Sequence, residues 1–235
     1  LMPLLRNACT AFATLALAMA PLHAQSAEQR QPAAHDPFEP EIAAFEAADR
    51  AHAPPTGGVV FVGSSSIRLW TTLAADFPGT EVINRGFGGS ELSDAVRYAR
   101  RIVLPYRPRL VVVYAGDNDL AAGKSPQQVL RDYRAFVHLV RRRLPRTRIA
   151  FIAIKPSPAR WALAPQIRTA NRLVRQYSSG DRRLRYVDIY TPMLDAGGAP
   201  RRELYLEDGL HMNAAGYAIW RDRVAPVLAG HPAAR

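Results

Sequence analysis

The sequence is almost free of cysteine, with a single one, Cys9, among its 235 residues. Cys9 lies in an apolar stretch, Ala8 to Leu22, that follows Arg6 and ends in small residues at Ala24. This arrangement predicts a secretory signal peptide over residues 1–24, because the apolar stretch is short for a membrane span. We therefore expect an exported, periplasmic or secreted protein whose mature chain has no disulfide and no thiol nucleophile.

Other familiar patterns are also missing. No two histidines have the spacing that places metal ligands on one helix face, so we expect no metal site. No P-loop occurs, and we expect a protein that works without a cofactor. No second long apolar run follows the N-terminal one, which argues against a stable membrane span.

Lysine occurs only at Lys124 and Lys155, so arginine carries nearly all of the positive charge in a chain of formal charge +11. Such a charge can favour anionic partners. The basic residues are scattered, however, and are not interleaved with aromatic residues as in nucleic-acid-binding segments. The densest run, Arg141 to Arg143, ends a predicted helix, where cations complement the helix dipole. Nucleic acid is not an expected partner, and the sequence leaves the oligomeric state open.

The remaining chain alternates between strand-like and helix-like segments. Residues 25–37 are polar and predict a flexible leader, and residues 38–235 predict a single domain. Apolar runs predict five strands, at residues 58–62, 81–83, 110–114, 149–154 and 186–189. Amphipathic patterns predict helices at residues 40–52, 90–104, 126–144, 162–177 and 213–228. Continuous β-branched strands are typical of a parallel sheet covered on both faces, so we expect an α/β protein.

In an open parallel sheet, ligands bind beyond the carboxyl ends of the strands. The first three predicted strands are followed by the residues 64–66 (Ser-Ser-Ser), 84–90 and 116–119 (Gly-Asp-Asn-Asp). The fourth delivers Lys155, and a loop well after the fifth delivers Asp208 and His211. The residues that could bind a ligand or take part in a reaction therefore lie at one edge of the predicted sheet.

These segments together resemble the SGNH, or GDSL-type, hydrolase superfamily, most closely its platelet-activating-factor acetylhydrolase-like branch. The likeness rests on four blocks in order: Gly63-Ser64-Ser65-Ser66, Asn84 to Gly89, Gly116 to Asp119, and Asp208 to His211. It implies a three-layer α/β/α domain with a five-stranded parallel sheet, a flavodoxin-like SGNH hydrolase fold.

The resemblance also implies a role for each matching residue. Ser65 would be the nucleophile, His211 its base and Asp208 the carboxylate that orients His211. The backbone N–H groups of Ser65 and Gly89 and the side-chain amide of Asn118 would form the oxyanion hole. The family usually has Asp where this chain has Ser64, so the choice among the three adjacent serines stays open.

Two of these roles have competitors within the sequence. The other histidines lie in the predicted signal peptide, in the probable tails, before the first strand, or on an arginine-rich helix face, which leaves His211 as the best placed base. Asp188, on the fifth strand, competes with Asp208 for the role of the acid. The three-residue spacing from Asp208 to His211 favours Asp208.

We expect a serine esterase that cleaves short acyl esters, above all acetyl esters, of a small molecule or a glycan through an acyl-enzyme. A lysophospholipase, a thioesterase or a glycan O-acyltransferase could use the same site. A noncatalytic module that binds glycan or lipid is the alternative outside enzymes, and Ser64 is its best support. Trp70 and Trp161 either flank a substrate or pack beneath the site, and Lys155 either meets an acidic substrate or caps a strand.

Overall fold

The computed structural model describes residues 36–229. The predicted signal peptide, residues 1–24, lies outside the described residues, as does the predicted leader up to residue 35. Five parallel strands form one sheet in the order β2-β1-β3-β4-β5. Their bounds are β1 Val59–Gly63, β2 Val82–Gly86, β3 Leu110–Tyr114, β4 Arg148–Ile152 and β5 Leu184–Val187. This confirms the predicted α/β class and the five-stranded parallel sheet.

Helices cover the sheet. They are α1 Glu39–Ala51, α2 Ser65–Arg68, α3 Leu73–Asp76, α4 Leu92–Ile102, α5 Asp117–Ala121, α6 Pro126–Arg143, α7 Ala164–Ser179 and α8 Ala214–Leu228. Short 3₁₀ turns occur at Leu104–Tyr106, Pro158–Leu163, Thr191–Met193 and Arg202–Leu204. Helix α6 packs between α4 and α7, and α1 packs against α4. Within residues 36–229, no helix has the length and apolar character needed to cross a bilayer.

An aromatic cluster joins the first strand to the last helix. Trp70, between α2 and α3, contacts Phe61 of β1 at a ring distance of 5.7 Å and Trp220 of α8 at 5.9 Å. Trp220 also contacts Tyr114 of β3 at 4.6 Å. Burial of such large rings is a major source of stability. The cluster therefore connects segments that are far apart in the chain, beneath the ends of β1 and β3.

Strand β3 has its predicted bounds, strands β1 and β4 differ from theirs by one or two residues at each end, and strands β2 and β5 are shifted where polar residues interrupt the apolar pattern. Strand β2 was predicted to end at Ile83 but continues through Asn84 and Arg85. Asn84 donates to the carbonyl of Ile67 at 2.7 Å, and the Arg85 guanidinium pairs with Asp49 of α1 at 2.5 Å. Strand β5 begins two residues earlier than predicted, at Leu184. Polar side chains with partners can thus continue a strand that hydropathy alone would end.

Candidate active site

The end of β1 places Ser65 above the sheet. Gly63 pairs with Gly86 of β2 and Tyr114 of β3, so these three strands end level with one another. Gly63 has a φ of 136°, and a Cβ there would lie 1.8 Å from the Tyr114 carbonyl oxygen, so only glycine fits. The chain then turns directly into α2, whose first residue is Ser65. Its hydroxyl is thereby presented at the carboxyl edge of the sheet.

Ser65, His211 and Asp208 form one chain of hydrogen bonds. The Ser65 Oγ lies 3.1 Å from His211 Nε2, and His211 Nδ1 lies 2.6 Å from Asp208 Oδ2. An ionised carboxylate only accepts hydrogen bonds, so Nδ1 carries the proton and Nε2 accepts the bond from the Ser65 hydroxyl. A hydroxyl on the free lone pair of an oriented imidazole is the arrangement of a base-activated nucleophile.

A closed loop sets the position of Asp208 relative to His211. The Leu206 N–H donates to the His211 carbonyl at 2.8 Å, which closes the loop over residues 206–211. The other carboxylate oxygen of Asp208 accepts from the backbone N–H groups of Leu210 and His211 at 2.8 and 2.9 Å. The Leu210 bond and those of His211 outweigh the small effect of burial and lower the pKa of Asp208 to about 2. Asp208 is therefore ionised at neutral pH.

The three adjacent serines occupy different surroundings. The Ser64 hydroxyl is buried and has no hydrogen-bond partner among the described residues. The Ser66 hydroxyl accepts a bond from Lys155 Nζ at 3.3 Å, below the surface. Ser65 is partly exposed and meets His211. Geometry therefore favours Ser65 over its two neighbours as the group that meets a substrate.

Gly89 and Asn118 lie on the loops that follow β2 and β3. Gly89 is exposed, and its φ of 76° lies in the left-handed region that glycine tolerates. No described group accepts a hydrogen bond from its N–H. Asn118, in the first turn of α5, donates through Nδ2 to the Ser90 carbonyl at 3.0 Å. That bond links the two loops and leaves the second hydrogen of Nδ2 available.

A buried ion pair, which no pattern in the sequence predicts, lies beneath these loops. Lys155 is 1% exposed, and its Nζ lies 2.8 Å from Asp117 Oδ2 and 3.0 Å from the Tyr114 hydroxyl. Burial raises the pKa of Asp117, but Lys155 and Arg160 outweigh burial and lower it overall. Lys155 therefore contacts the interior, neither a substrate nor solvent. Its position directly after a buried strand was the only signal for it in the sequence.

Other candidates from the sequence lie away from the chain of hydrogen bonds. Asp188 accepts bonds from the backbone and hydroxyl of Thr191, at 3.1 and 2.7 Å, and forms no hydrogen bond with His211. Trp70 is 1% exposed in the aromatic cluster, so it packs beneath the site and does not flank a substrate. Trp161, in the turn after β4, is partly exposed.

Among residues 36–229, no group of three or more His, Cys, Asp or Glu residues has the arrangement of a metal site. A hydroxyl, an imidazole and a carboxylate form one hydrogen-bonded chain, and two candidate amide donors, Gly89 and Asn118, lie on the loops after the two strands next to β1. This set supplies a nucleophile, a base and donors for a developing negative charge, which are the requirements of acyl transfer.

Comparison with known proteins identifies the family from the sequence and finds the same fold among solved structures. Residues 56–219 match the GDSL-like lipase/acylhydrolase family. The alpha1 subunits of platelet-activating factor acetylhydrolase IB from Bos taurus and Homo sapiens are each 28% identical over 172 residues. The match covers 68% of this chain and 69% or 70% of those proteins.

Solved structures share the fold at lower sequence identity. A GDSL-like lipase from Bacteroides thetaiotaomicron aligns with a TM-score of 0.70 at 23% identity, covering 80% of this chain and 97% of that one. An acetylxylan esterase from Geobacillus stearothermophilus, solved as a catalytic mutant, aligns with a TM-score of 0.61 at 14% identity, covering 77% and 98%. A carbohydrate esterase family 3 protein from Talaromyces cellulolyticus aligns with a TM-score of 0.59 at 17% identity, covering 74% and 97%.

Proposed function

The chain belongs to the GDSL-like lipase/acylhydrolase family and is an ester hydrolase, and from this premise we propose that it is an exported serine esterase with Ser65 as its nucleophile. The observation that carries the proposal is the hydrogen-bonded chain from Ser65 through His211 to Asp208. The substrate is a short acyl ester, above all an acetyl ester, of a small molecule or a carbohydrate.

In the first half of the reaction, the Ser65 oxygen attacks the ester carbonyl carbon while its proton passes to His211 Nε2. The electron pair of the C=O π bond moves onto the carbonyl oxygen. The N–H groups of Ser65 and Gly89 and the Asn118 amide stabilise that oxygen, and each such donor contributes about 2.7 to 4 kcal/mol to lowering the barrier. Asp208 stabilises the imidazolium and holds its orientation.

The intermediate then collapses, and the bond to the alcohol oxygen breaks as that oxygen takes the proton from His211 Nε2. Water repeats the sequence on the acyl-enzyme: it loses a proton to Nε2, attacks the acyl carbon and displaces Ser65, which regains its proton. The products are an alcohol and a carboxylic acid. A sugar hydroxyl in place of water would make the same site an acyltransferase.

Two observations support a small acyl group on a carbohydrate. The surroundings of the nucleophile are open, since Gly89 is exposed and the Asp208 side chain is 46% exposed. Among the similar proteins, one is named an acetylhydrolase, one an acetylxylan esterase and one a carbohydrate esterase. An open site accommodates a bulky alcohol such as a glycan while making few contacts with a long acyl chain.

Phosphonate labelling of the mature protein tests the nucleophile. We expect mass spectrometry to find the label on the peptide that contains Ser65, and p-nitrophenyl acetate to be cleaved faster than the octanoate. Ser65→Ala should abolish turnover and keep the wild-type circular dichroism spectrum. Ser179→Ala, at the exposed end of α7, is the matched control and should keep full activity.

Full activity in Ser65→Ala would move the nucleophile to a neighbour. Absence of labelling and of turnover on acetyl esters, acetylated glycans and lysolipids would favour a noncatalytic binding module. Export rests on the pattern of residues 1–24. Its test is the N-terminal sequence of the protein from the periplasmic or extracellular fraction, which we expect to begin near Gln25.

A further inference from the structure

Arg160, which lies in none of the sequence motifs, contacts the side-chain amide of Asn118. It lies in the 3₁₀ turn Pro158–Leu163, and its Nη2 donates to Asn118 Oδ1 at 2.9 Å. A guanidinium has only donors, so the amide oxygen must face it. In the flipped amide, Nδ2 would meet another donor. Arg160 therefore allows only one of the two orientations of the Asn118 amide.

That orientation directs the amide nitrogen away from Arg160. One hydrogen of Nδ2 is taken by the Ser90 carbonyl at 3.0 Å. Ser90 directly follows Gly89, the other proposed donor on this loop. The bond to Ser90 thus keeps Asn118 beside the loop of Gly89, and the second hydrogen of Nδ2 is left for an oxygen of the substrate.

Arg160 is itself held in place. Its Nη1 lies 3.2 Å from Asp117 Oδ2, the oxygen that also pairs with Lys155 Nζ at 2.8 Å. The Arg160 side chain is 20% exposed, that of Asp117 5% and that of Lys155 1%. The Arg160 side chain is therefore already ordered in the folded protein before a substrate binds. An efficient oxyanion hole requires such preorganised groups.

We propose that Arg160 is a positioning residue of the esterase site, which fixes the flip state of the Asn118 amide so that its nitrogen serves the oxyanion hole. This inference rests on the proposed function. It assigns to Arg160 a role that acts entirely through Asn118, and it predicts that Arg160 matters only while Asn118 is present.

A double-mutant cycle on the mature protein tests this dependence. Asn118→Ala should lower kcat by about 100- to 1,000-fold. Arg160→Met should lower kcat by about 10- to 100-fold with little change in KM, because a misdirected donor is only partly lost. In the Asn118→Ala background, Arg160→Met should have no further effect. Arg160→Lys, which keeps a donor, should recover most of the activity, and Arg168→Met, exposed on α7, is the control.

A thionoester provides a readout that a merely structural role would not change. Sulfur accepts hydrogen bonds poorly, so loss of an oxyanion donor slows hydrolysis of an oxoester more than that of its thionoester. Both Asn118→Ala and Arg160→Met should lower the oxoester-to-thionoester rate ratio. Equal losses on both substrates, or additive effects in the double variant, would overturn the inference. If Ser65→Ala stays active, it is the proposed nucleophile that fails.

A second, independent feature lies at the opposite edge of the sheet. A cleft of about 840 Å³ is lined by Arg107, Arg109, Arg143, Arg146 and Arg148, and no acidic residue lines it. Arg109 directly precedes β3, and Arg148 begins β4, which places the cleft at the amino ends of the strands. We call it the arginine cleft.

The positive charges of the arginine cleft are not neutralised by carboxylates of the described residues. Among the described residues, none of the five arginines forms an ion pair, and Arg109 donates to the Leu228 carbonyl at 3.0 Å. Burial, followed by the charges of Arg109 and Arg185, lowers the pKa of Arg148. Positive groups that repel one another in a concave site are stabilised by a bound anion. Guanidinium forks match the oxygens of phosphate especially well.

We infer that the arginine cleft binds a phosphate-bearing anion. Titration calorimetry of the mature protein with inorganic pyrophosphate should give saturable binding at one site. Arg143→Gln/Arg146→Gln should weaken it at least tenfold, whereas Arg168→Gln/Arg172→Gln, with the same change in charge on exposed positions of α7, should not. Esterase activity should be unchanged in both variants.

Vesicles of phosphatidylglycerol separate the sources of the phosphate. Sedimentation with vesicles that is lost in Arg143→Gln/Arg146→Gln would indicate a lipid headgroup, and pyrophosphate binding alone would indicate a soluble phosphate. Absence of saturable binding, or equal weakening in both double variants, would overturn the inference. Tighter binding of duplex DNA through the same two arginines would replace it with a nucleic-acid site.

Discussion

At the scale of single residues, the sequence indicated the candidate site residues that lie in a recognisable motif. Ser65 and Asn118 each follow a strand directly, and the carboxyl ends of parallel strands lie at the same edge of the sheet. Asp208 and His211 are only three residues apart, so one loop can hold both. Lys155 and Arg160 were not predictable in the same way. Their partners, Asp117 and Asn118, are 38 and 42 positions away, and a charge that is buried in a pair has no local pattern.

The low pKa of Asp208 has a consequence for the pH profile. Its pKa is lowered to about 2, chiefly by the Leu210 N–H, so its contribution is present above its ordinary value of 3.8 and is lost only as the pH falls through about 2. Between pH 3 and pH 7, Asp208 therefore stays ionised. We expect protonation of Asp208 to make no contribution to the pH dependence of kcat/KM between pH 3 and pH 7.

Asp208→Asn should lower kcat by about 10³- to 10⁴-fold across this range, because the amide no longer stabilises the imidazolium. Initial rates on p-nitrophenyl acetate in constant ionic strength buffers measure both quantities. A variant as active as the parent would show that Asp208 does not orient His211, and loss of activity through protonation of Asp208 between pH 3 and pH 7 would contradict its lowered pKa.

At the scale of elements, hydropathy located the strands but not all of their ends. Strand β3 has the predicted bounds because every residue in it is apolar and buried. Strand β2 extends three residues further, since Asn84 and Arg85 have partners on α2 and α1 that a local window does not contain. The short helices α2, α3 and α5 were also missed, because four or five residues carry no periodicity.

The ion pair between Lys155 and Asp117 joins the end of β4 to α5. Lys155→Met leaves a buried carboxylate with Arg160 as its remaining partner, so we expect the free energy of unfolding to fall by about 3 kcal/mol. Lys155→Met/Asp117→Asn should lose less than the single variant. Arg183→Gln, which removes an exposed pair with Asp181 at 3.7 Å, should change the free energy by less than about 1 kcal/mol.

Urea unfolding followed by circular dichroism measures these values. If the double variant is less stable than Lys155→Met, then Asp117 contributes more through its other contacts than it costs when unpaired. That result would contradict the assignment of Asp117 as the main partner of Lys155.

Asp119 joins α5 to the first turn of α4, where its carboxylate accepts from the Leu92 N–H at 3.2 Å. Burial raises its pKa from 3.8 to about 6, so the folded protein favours the neutral acid. The raised pKa means that stability from this group is greatest at low pH and falls as the pH rises from about 4 to 6. The full effect is about 2 to 3 kcal/mol.

Asp119→Asn removes this titration and keeps an oxygen for Leu92. We expect the unfolding free energy of the variant, minus that of the parent, to become more positive between pH 4 and pH 6 and to level off above it. Urea unfolding of both proteins at pH 4, 5, 6 and 7 measures this difference in unfolding free energy. The contributions of the other titrating groups are the same in both proteins and cancel. A difference that is constant with pH, or that decreases, would contradict the raised pKa.

At the scale of the whole molecule, the alternation of buried strands and amphipathic helices was sufficient to predict the α/β class. The order of the strands was not contained in that alternation, and only the structure gives it. The order matters for the site, because β2, β1 and β3 are neighbours and bring Gly89, Ser65 and Asn118 to adjacent loops. The arginine cleft was unpredictable for the same reason, since its residues converge only in the fold.

The aromatic cluster predicts cooperative unfolding of the domain. Trp70 and Trp220 lie 5.9 Å apart, so the N-terminal and C-terminal parts share one core. We expect tryptophan fluorescence and far-ultraviolet circular dichroism to report one coincident transition in urea. Trp220→Phe should lower the midpoint for both signals together. Two separate transitions would show that the parts unfold independently.

Ser65, the proposed nucleophile, and His211, its proposed base, are 146 positions apart in the chain. During synthesis, the ribosome therefore releases the serine long before the histidine emerges, and the partly made polypeptide holds an ordinary, unactivated alcohol. On the proposed mechanism, hydrolysis requires that the segment carrying His211 has docked beside Ser65. On the proposed mechanism, a chain that terminates before His211 therefore lacks esterase activity.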